Sequence, residues 1–117
     1  MLSFKFEIDS YDDEVSGYDM GHLTLNVGEQ VLVSSKSEGS KHLMMLFLSL
    51  PDLLDGVRRL LNGLTPSYEF VGVDSSFVLN ISRVTNKLVR FSHKNCELLQ
   101  IRDSELATGL ILIQVAP

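Results

Sequence analysis

Leu43-Met44-Met45-Leu46-Phe47-Leu48-Ser49-Leu50-Pro51-Asp52-Leu53-Leu54-Asp55-Gly56-Val57-Arg58-Arg59-Leu60-Leu61-Asn62-Gly63 is the stretch that decides the architecture. Leu50, Leu53, Leu54, Val57, Leu60 and Leu61 recur at i, i+3, i+4, i+7, i+10 and i+11, one face of an α-helix. Ser49 and Asp52 have the spacing of a capping box, which places the start at about residue 49. Pro51 is tolerated in a first turn, where its missing N–H loses no bond. Asn62-Gly63 is a natural stop. Burying six such side chains is worth roughly 1.5–3 kcal/mol each as a gross upper figure, which outweighs about 1 kcal/mol for Gly56 within the helix. Leu43 to Leu48 reads two ways. Leu43, Leu46 and Phe47 continue the helical face, which favours helix, but Pro51 would kink a longer helix and a short buried strand fits the same run.

On both sides of this helix the pattern changes to period two, as in half-buried strands. Leu2, Phe4, Phe6 and Ile8 alternate with polar residues, and Leu23, Leu25 and Val27 mark a second strand. Gly28-Glu29 then suits a tight II′ hairpin into Gln30–Val33. Beyond Pro66, strands are expected at Tyr68–Val73, at Phe77, Leu79 and Ile81, at Leu88–Phe91 and at Glu97–Arg102, with turns near Thr85-Asn86 and His93-Lys94-Asn95. Leu110–Val115 is nearly all apolar and reads as a strand buried on both faces. The expected fold is α+β in one domain spanning 1–117. A single, mostly antiparallel sheet of about seven to eight strands packs on one principal helix (about 49–62), with three strands before it and four or five after.

Composition narrows the function classes. A chain of 117 residues with 44% hydrophobic and 21% charged residues suits one globular domain. Met1 to Lys5 runs straight into a strand pattern without the basic and apolar segments of a secretory signal. The longest apolar run is far below the roughly 20 residues of a membrane helix. Cys96 is the one cysteine, so no intrachain disulfide forms. A cytoplasmic location without membrane association is expected. The net charge of −5 is uneven. Residues 1–40 hold eight acids against two lysines, whereas residues 65–117 hold five of each sign. This balance argues against nucleic acid, whose binding needs a basic footprint.

The acidic excess concentrates in Asp9, Asp12, Asp13, Glu14 and Asp19, interleaved with Tyr11 and Tyr18. Like charges repel unless a partner neutralises them. Tyrosine beside charge suits protein recognition, because it buries a large ring at low entropic cost. These seven residues are the candidate partner-binding site for a basic protein; the plain alternative is a solvated loop. The EF-hand order of acids around a central glycine is absent. His22, His42 and His93 lack a second His or Cys at metal-ligand spacing, so no metal or cofactor is expected. Cys96 reads as a small buried hydrophobe. Asp74-Ser75-Ser76 with His93 supplies the residue types of a hydrolase, but the Gly-x-Ser-x-Gly elbow is missing and a turn is expected there. Arg58 and Arg59 read as the solvated face of the helix. Arg83, Lys87, Arg90 and Lys94 read as edge protection, with a modest anion patch as the alternative.

Two phrases belong together: Met44-Met45-Leu46-Phe47-Leu48-Ser49-Leu50-Pro51-Asp52-Leu53-Leu54-Asp55-Gly56 and Tyr68-Glu69-Phe70-Val71-Gly72-Val73-Asp74-Ser75-Ser76-Phe77. They resemble small acidic bacterial immunity proteins of polymorphic-toxin and contact-dependent inhibition systems. The likeness in wording spans residues 40–80 and consists of packing and turn sequences, so it carries over no binding residue. What it implies is a cytoplasmic, non-enzymatic protein that blocks one toxin domain by direct contact. The competing expectations are a small-molecule-binding or enzymatic α+β domain with a pocket between helix and sheet, and a homodimer completed by strand edges.

Overall fold

A computed structural model describes residues 2–8, 20–35, 44–73 and 75–116. Its element order is β1 (Leu2–Ile8), β2 (Met20–Val27), β3 (Gln30–Ser34), β4 (Met44–Met45), α1 (Leu46–Leu61), β5 (Ser67–Val71), β6 (Val78–Arg83), β7 (Leu88–His93), β8 (Cys96–Arg102), α2 (Asp103–Ile111) and β9 (Gln114–Ala116). The fold is α+β, but the strands form two sheets rather than one. The first has the order β3-β2-β1-β9, with β4 also on β2. The second is the meander β5-β6-β7-β8. All pairings are antiparallel except β1 with β9.

The two sheets share one core. Phe4, Phe6, Leu23 and Leu25 from the first meet Phe70, Leu79, Ile81 and Phe91 from the second, all fully buried. The Phe4 and Phe91 rings lie 6.3 Å apart across the junction. Both crossings between sheets are helical. β4-α1-β5 leads from the β2 edge of the first sheet to one edge of the second, and β8-α2-β9 leads from the opposite edge back to β1. A second helix is therefore needed to close the other side, which a single-sheet expectation did not include.

Local signals explain most elements. The alternation of β1 buries Leu2, Phe4 and Phe6. Gly28 takes φ +61 between β2 and β3, the left-handed first position of the expected hairpin. Lys94 and Asn95, with φ 52 and 64, form the β7–β8 turn, and two consecutive left-handed residues are the signature of type I′. At the end of α1, Gly63 has φ +74, its N–H donates to the Leu60 carbonyl, and the Leu64 N–H donates to the Arg59 carbonyl. That pair of bonds is a Schellman motif.

Three expectations are corrected. First, α1 begins at Leu46, not Ser49, after the two-residue β4, so in the ambiguous run Met44-Met45 is strand and Leu46–Leu48 is helix, while Leu43 lies outside the described residues. The Ser49 hydroxyl is not a cap; it accepts the Val73 N–H at 2.9 Å and ties the helix to the β5–β6 connection. Burial of Leu46 favours the extra turn, and Pro51, in the second turn, removes one intrahelical donor, the one that would bond the Phe47 carbonyl. The buried stripe is Leu46, Ser49, Leu53, Gly56, Val57 and Leu60, while Leu54 turns outward. Second, Leu110–Val115 is not a doubly buried strand. α2 continues to Ile111, β9 is short, and Ile111, Leu112 and Val115 are exposed. Third, Cys96 is exposed, because it opens edge strand β8 directly after the tight turn. Met44 is fully buried as core filling.

Candidate functional site

Asp9, Tyr11, Asp12, Asp13, Glu14, Tyr18 and Asp19 lie outside the described residues. The structure fixes the two ends of the stretch that holds them. Ile8 pairs with Gly21 across β1 and β2, and Met20 pairs with Met45 of β4. Both ends thus emerge at the corner where β1, β2, β4 and the start of α1 meet. That corner is tightly packed: a Cβ added to Gly21 would run into the Glu7 carbonyl oxygen and the Leu46 side chain.

Beside this corner a serine, a histidine and a carboxylate converge. Ser35 Oγ lies 2.8 Å from His22 Nδ1, and Glu7 is the cross-strand partner of His22. The residue types suit nucleophilic catalysis, but the placement of the hydroxyl does not. Ser35 is 0% exposed, and its Oγ accepts the Leu23 N–H at 3.0 Å. A nucleophile must reach its substrate, whereas this hydroxyl pins the end of β3 onto β2. The adjoining Thr24 and Ser34 hydroxyls, 3.0 Å apart, strengthen the same junction. Sequence reasoning passed over the trio because only the β2–β3 register, shifted by a bulge after Leu25, joins residues thirteen positions apart.

Of the Asp, Ser and His considered from sequence, Ser75 and His93 are engaged in other contacts. Asp74 lies outside the described residues. Ser75 shapes the β5–β6 turn: its N–H donates to the Gly72 carbonyl, and its Oγ accepts the Phe77 N–H at 3.1 Å. His93 Nδ1 donates to the Val78 carbonyl at 2.8 Å, and its ring lies 5.3 Å from that of Phe77. Among the described residues no group of three or more His, Cys, Asp or Glu side chains gathers as metal ligands. His42 is outside the described residues.

Four arginines are engaged locally. Arg83 Nη2 donates to the Leu60 carbonyl at 3.1 Å and Nη1 to the Asn86 carbonyl at 2.9 Å, with Asp103 3.4 Å away. It therefore joins the end of α1 to the start of α2. Arg90 Nε lies 2.8 Å from Glu97 across the β7–β8 pair. Arg58 and Arg59 share Asp55 at 2.9 and 3.1 Å. The Arg58 hydrogen bond, then the Arg59 charge, hold the Asp55 carboxyl below its ordinary value.

Between α1 and β5 lies an open depression of about 500 Å³, lined by Arg58, Arg59, Leu64, Thr65, Ser67, Tyr68 and Glu69. Tyr68 is tied back to the helix. The phenol donates to the Asp52 carbonyl at 3.0 Å, and Asp52 Oδ2 is 3.2 Å away. Burial, then the Asp52 charge, push this phenol above its ordinary value of 10.0. The folded state therefore keeps the proton after the unfolded chain has lost it. The stability from this group is complete below about pH 10 and declines as pH rises further. Tyr68→Phe is expected to lose about 1 kcal/mol at neutral pH and to show a shallower decline above pH 10, measured by urea denaturation across that range.

No helix among the described residues is long and apolar enough to cross a membrane. No family model, no curated protein and no solved structure matches this chain.

Proposed function

We propose that this chain is a non-enzymatic, cytoplasmic binding protein that neutralises a toxin domain by direct contact, as immunity proteins do. The observation that carries this reading is the stretch from Asp9 to Asp19, with five carboxylates, two tyrosines and no base. It joins two paired strands at one corner of the fold. A basic partner surface relieves the repulsion among these charges and is drawn to them from a distance. Supporting this, Ser35, Ser75, His93, Arg83 and Arg90 are occupied in holding strands and helices together.

The test replaces Asp12, Asp13 and Glu14 together by Ser. Binding to the toxin domain encoded beside this chain is measured at two salt concentrations. The association rate is expected to fall by at least about tenfold at low salt, with a flatter salt dependence. Unchanged affinity and unchanged salt response would remove this segment from the interface.

A further inference from the structure

The depression beside α1 is lined in part by β5, which among the described residues ends the order of its sheet. The Arg83 N–H donates to the Pro66 carbonyl at 2.9 Å and the Gly72 N–H donates to the Phe77 carbonyl at 3.0 Å. In an antiparallel ladder the inward-facing backbone groups then belong to Pro66, Tyr68, Phe70 and Gly72. Those of Ser67, Glu69 and Val71 point away from the sheet. The Ser67 carbonyl accepts the Thr65 hydroxyl at 2.7 Å, which leaves the Ser67 N–H and the N–H and C=O of Glu69 and Val71 directed outward. An edge of this kind is a template for another strand.

The wall facing this edge is cationic. Arg58 and Arg59 side chains are 67% and 61% exposed, and the single Asp55 carboxylate is shared between them. Each guanidinium has five donors, so most remain available. Arg58, Arg59, Ser67 and Glu69 line the same depression, so the β5 edge and the two cations border one space.

We infer that this groove receives an extended acidic segment of a partner protein, added as a further strand on β5. Main-chain bonds to Glu69 and Val71 supply affinity, as in strand addition generally. Side chains of an added strand alternate between faces. Asp or Glu at every second position meets the guanidiniums, and the intervening residues, beside the Glu69 carboxylate, are neutral or basic. This surface uses none of the residues from Asp9 to Asp19 and has the opposite charge preference, so its failure would leave the proposed function standing.

A random dodecapeptide library displayed on phage, selected against the whole chain, tests the inference. Enriched peptides are expected to carry Asp or Glu at alternate positions. Their addition should shift the Ser67, Glu69 and Val71 amide resonances in heteronuclear NMR spectra of the unmodified protein. Glu69→Pro removes an outward N–H without touching the ladder to β6, a placement that edge strands tolerate. It should weaken binding by at least about tenfold, as should Arg58→Ala with Arg59→Ala. Absence of enrichment, resonance shifts elsewhere, or peptides indifferent to the arginine pair would overturn it, the NMR result standing even if the proline variant fails to fold.

Discussion

Phe91→Ala is expected to be the most damaging single truncation in the chain, with a loss of about 3–5 kcal/mol. That is a large share of the roughly 5–15 kcal/mol that holds a domain of this size folded. Phe91 is fully buried on β7, with its backbone opposite Ile81 on one side and Leu99 on the other, and its ring faces Phe4 of the other sheet. Removing the ring takes apolar area from both sheets and leaves a cavity where they meet. Chemical denaturation should show a lower midpoint with an unchanged slope. Amide protection should fall in both sheets together, because one core serves both. Loss of protection confined to β5–β8 would show two separate stability units and contradict the shared core.

Gly56→Ala is expected to destabilise by about 1–3 kcal/mol, although alanine is the better helix former by about 1 kcal/mol. Gly56 is buried within α1, and a Cβ built there clashes with the edge of the Tyr68 ring. The ring cannot retreat without losing the bond from its hydroxyl to the Asp52 carbonyl. A double-mutant cycle separates these effects. In a Tyr68→Ser background the same Gly56→Ala change should become neutral or stabilising, since only the propensity gain is left. Equal destabilisation in both backgrounds would show that the close approach of ring and helix is not what requires glycine.

These two positions mark where local sequence stopped specifying the fold. The alternation of Leu2, Phe4, Phe6 and Ile8, the Gly28-Glu29 turn, the Asn62-Gly63 stop and the meander after Pro66 are local, and their residues state their own conformation. The division into two sheets is not local. It depends on Phe4 and Phe91 meeting across 87 positions of sequence, which no periodicity records. The second helix was hidden for a related reason. Asp103, Ser104 and Glu105 give it an acidic first turn, but Gly109 argues against a helix by propensity. The structure needs that glycine because a Cβ there would press on the Leu2 carbonyl oxygen. Gly56 and Gly109 are thus sites where tertiary contact overrode local preference. For the candidate site, the charge imbalance at Asp9–Asp19 is visible in sequence alone. The His22–Ser35 contact and the outward edge of β5 exist only through strand register, so no motif announces them.

The central claim is that this chain acts by occupying a partner rather than by transforming it. Titrating the chain into a fixed amount of the proposed partner, a toxin domain encoded beside it, with toxin activity as the readout, tests this most directly. The account predicts a linear loss of activity that reaches completion at one chain per toxin domain, with no dependence on incubation time once binding has equilibrated. Complete loss at a small fraction of equivalence, progressing with time, would reveal turnover and contradict it, as would full toxin activity at any excess of the chain.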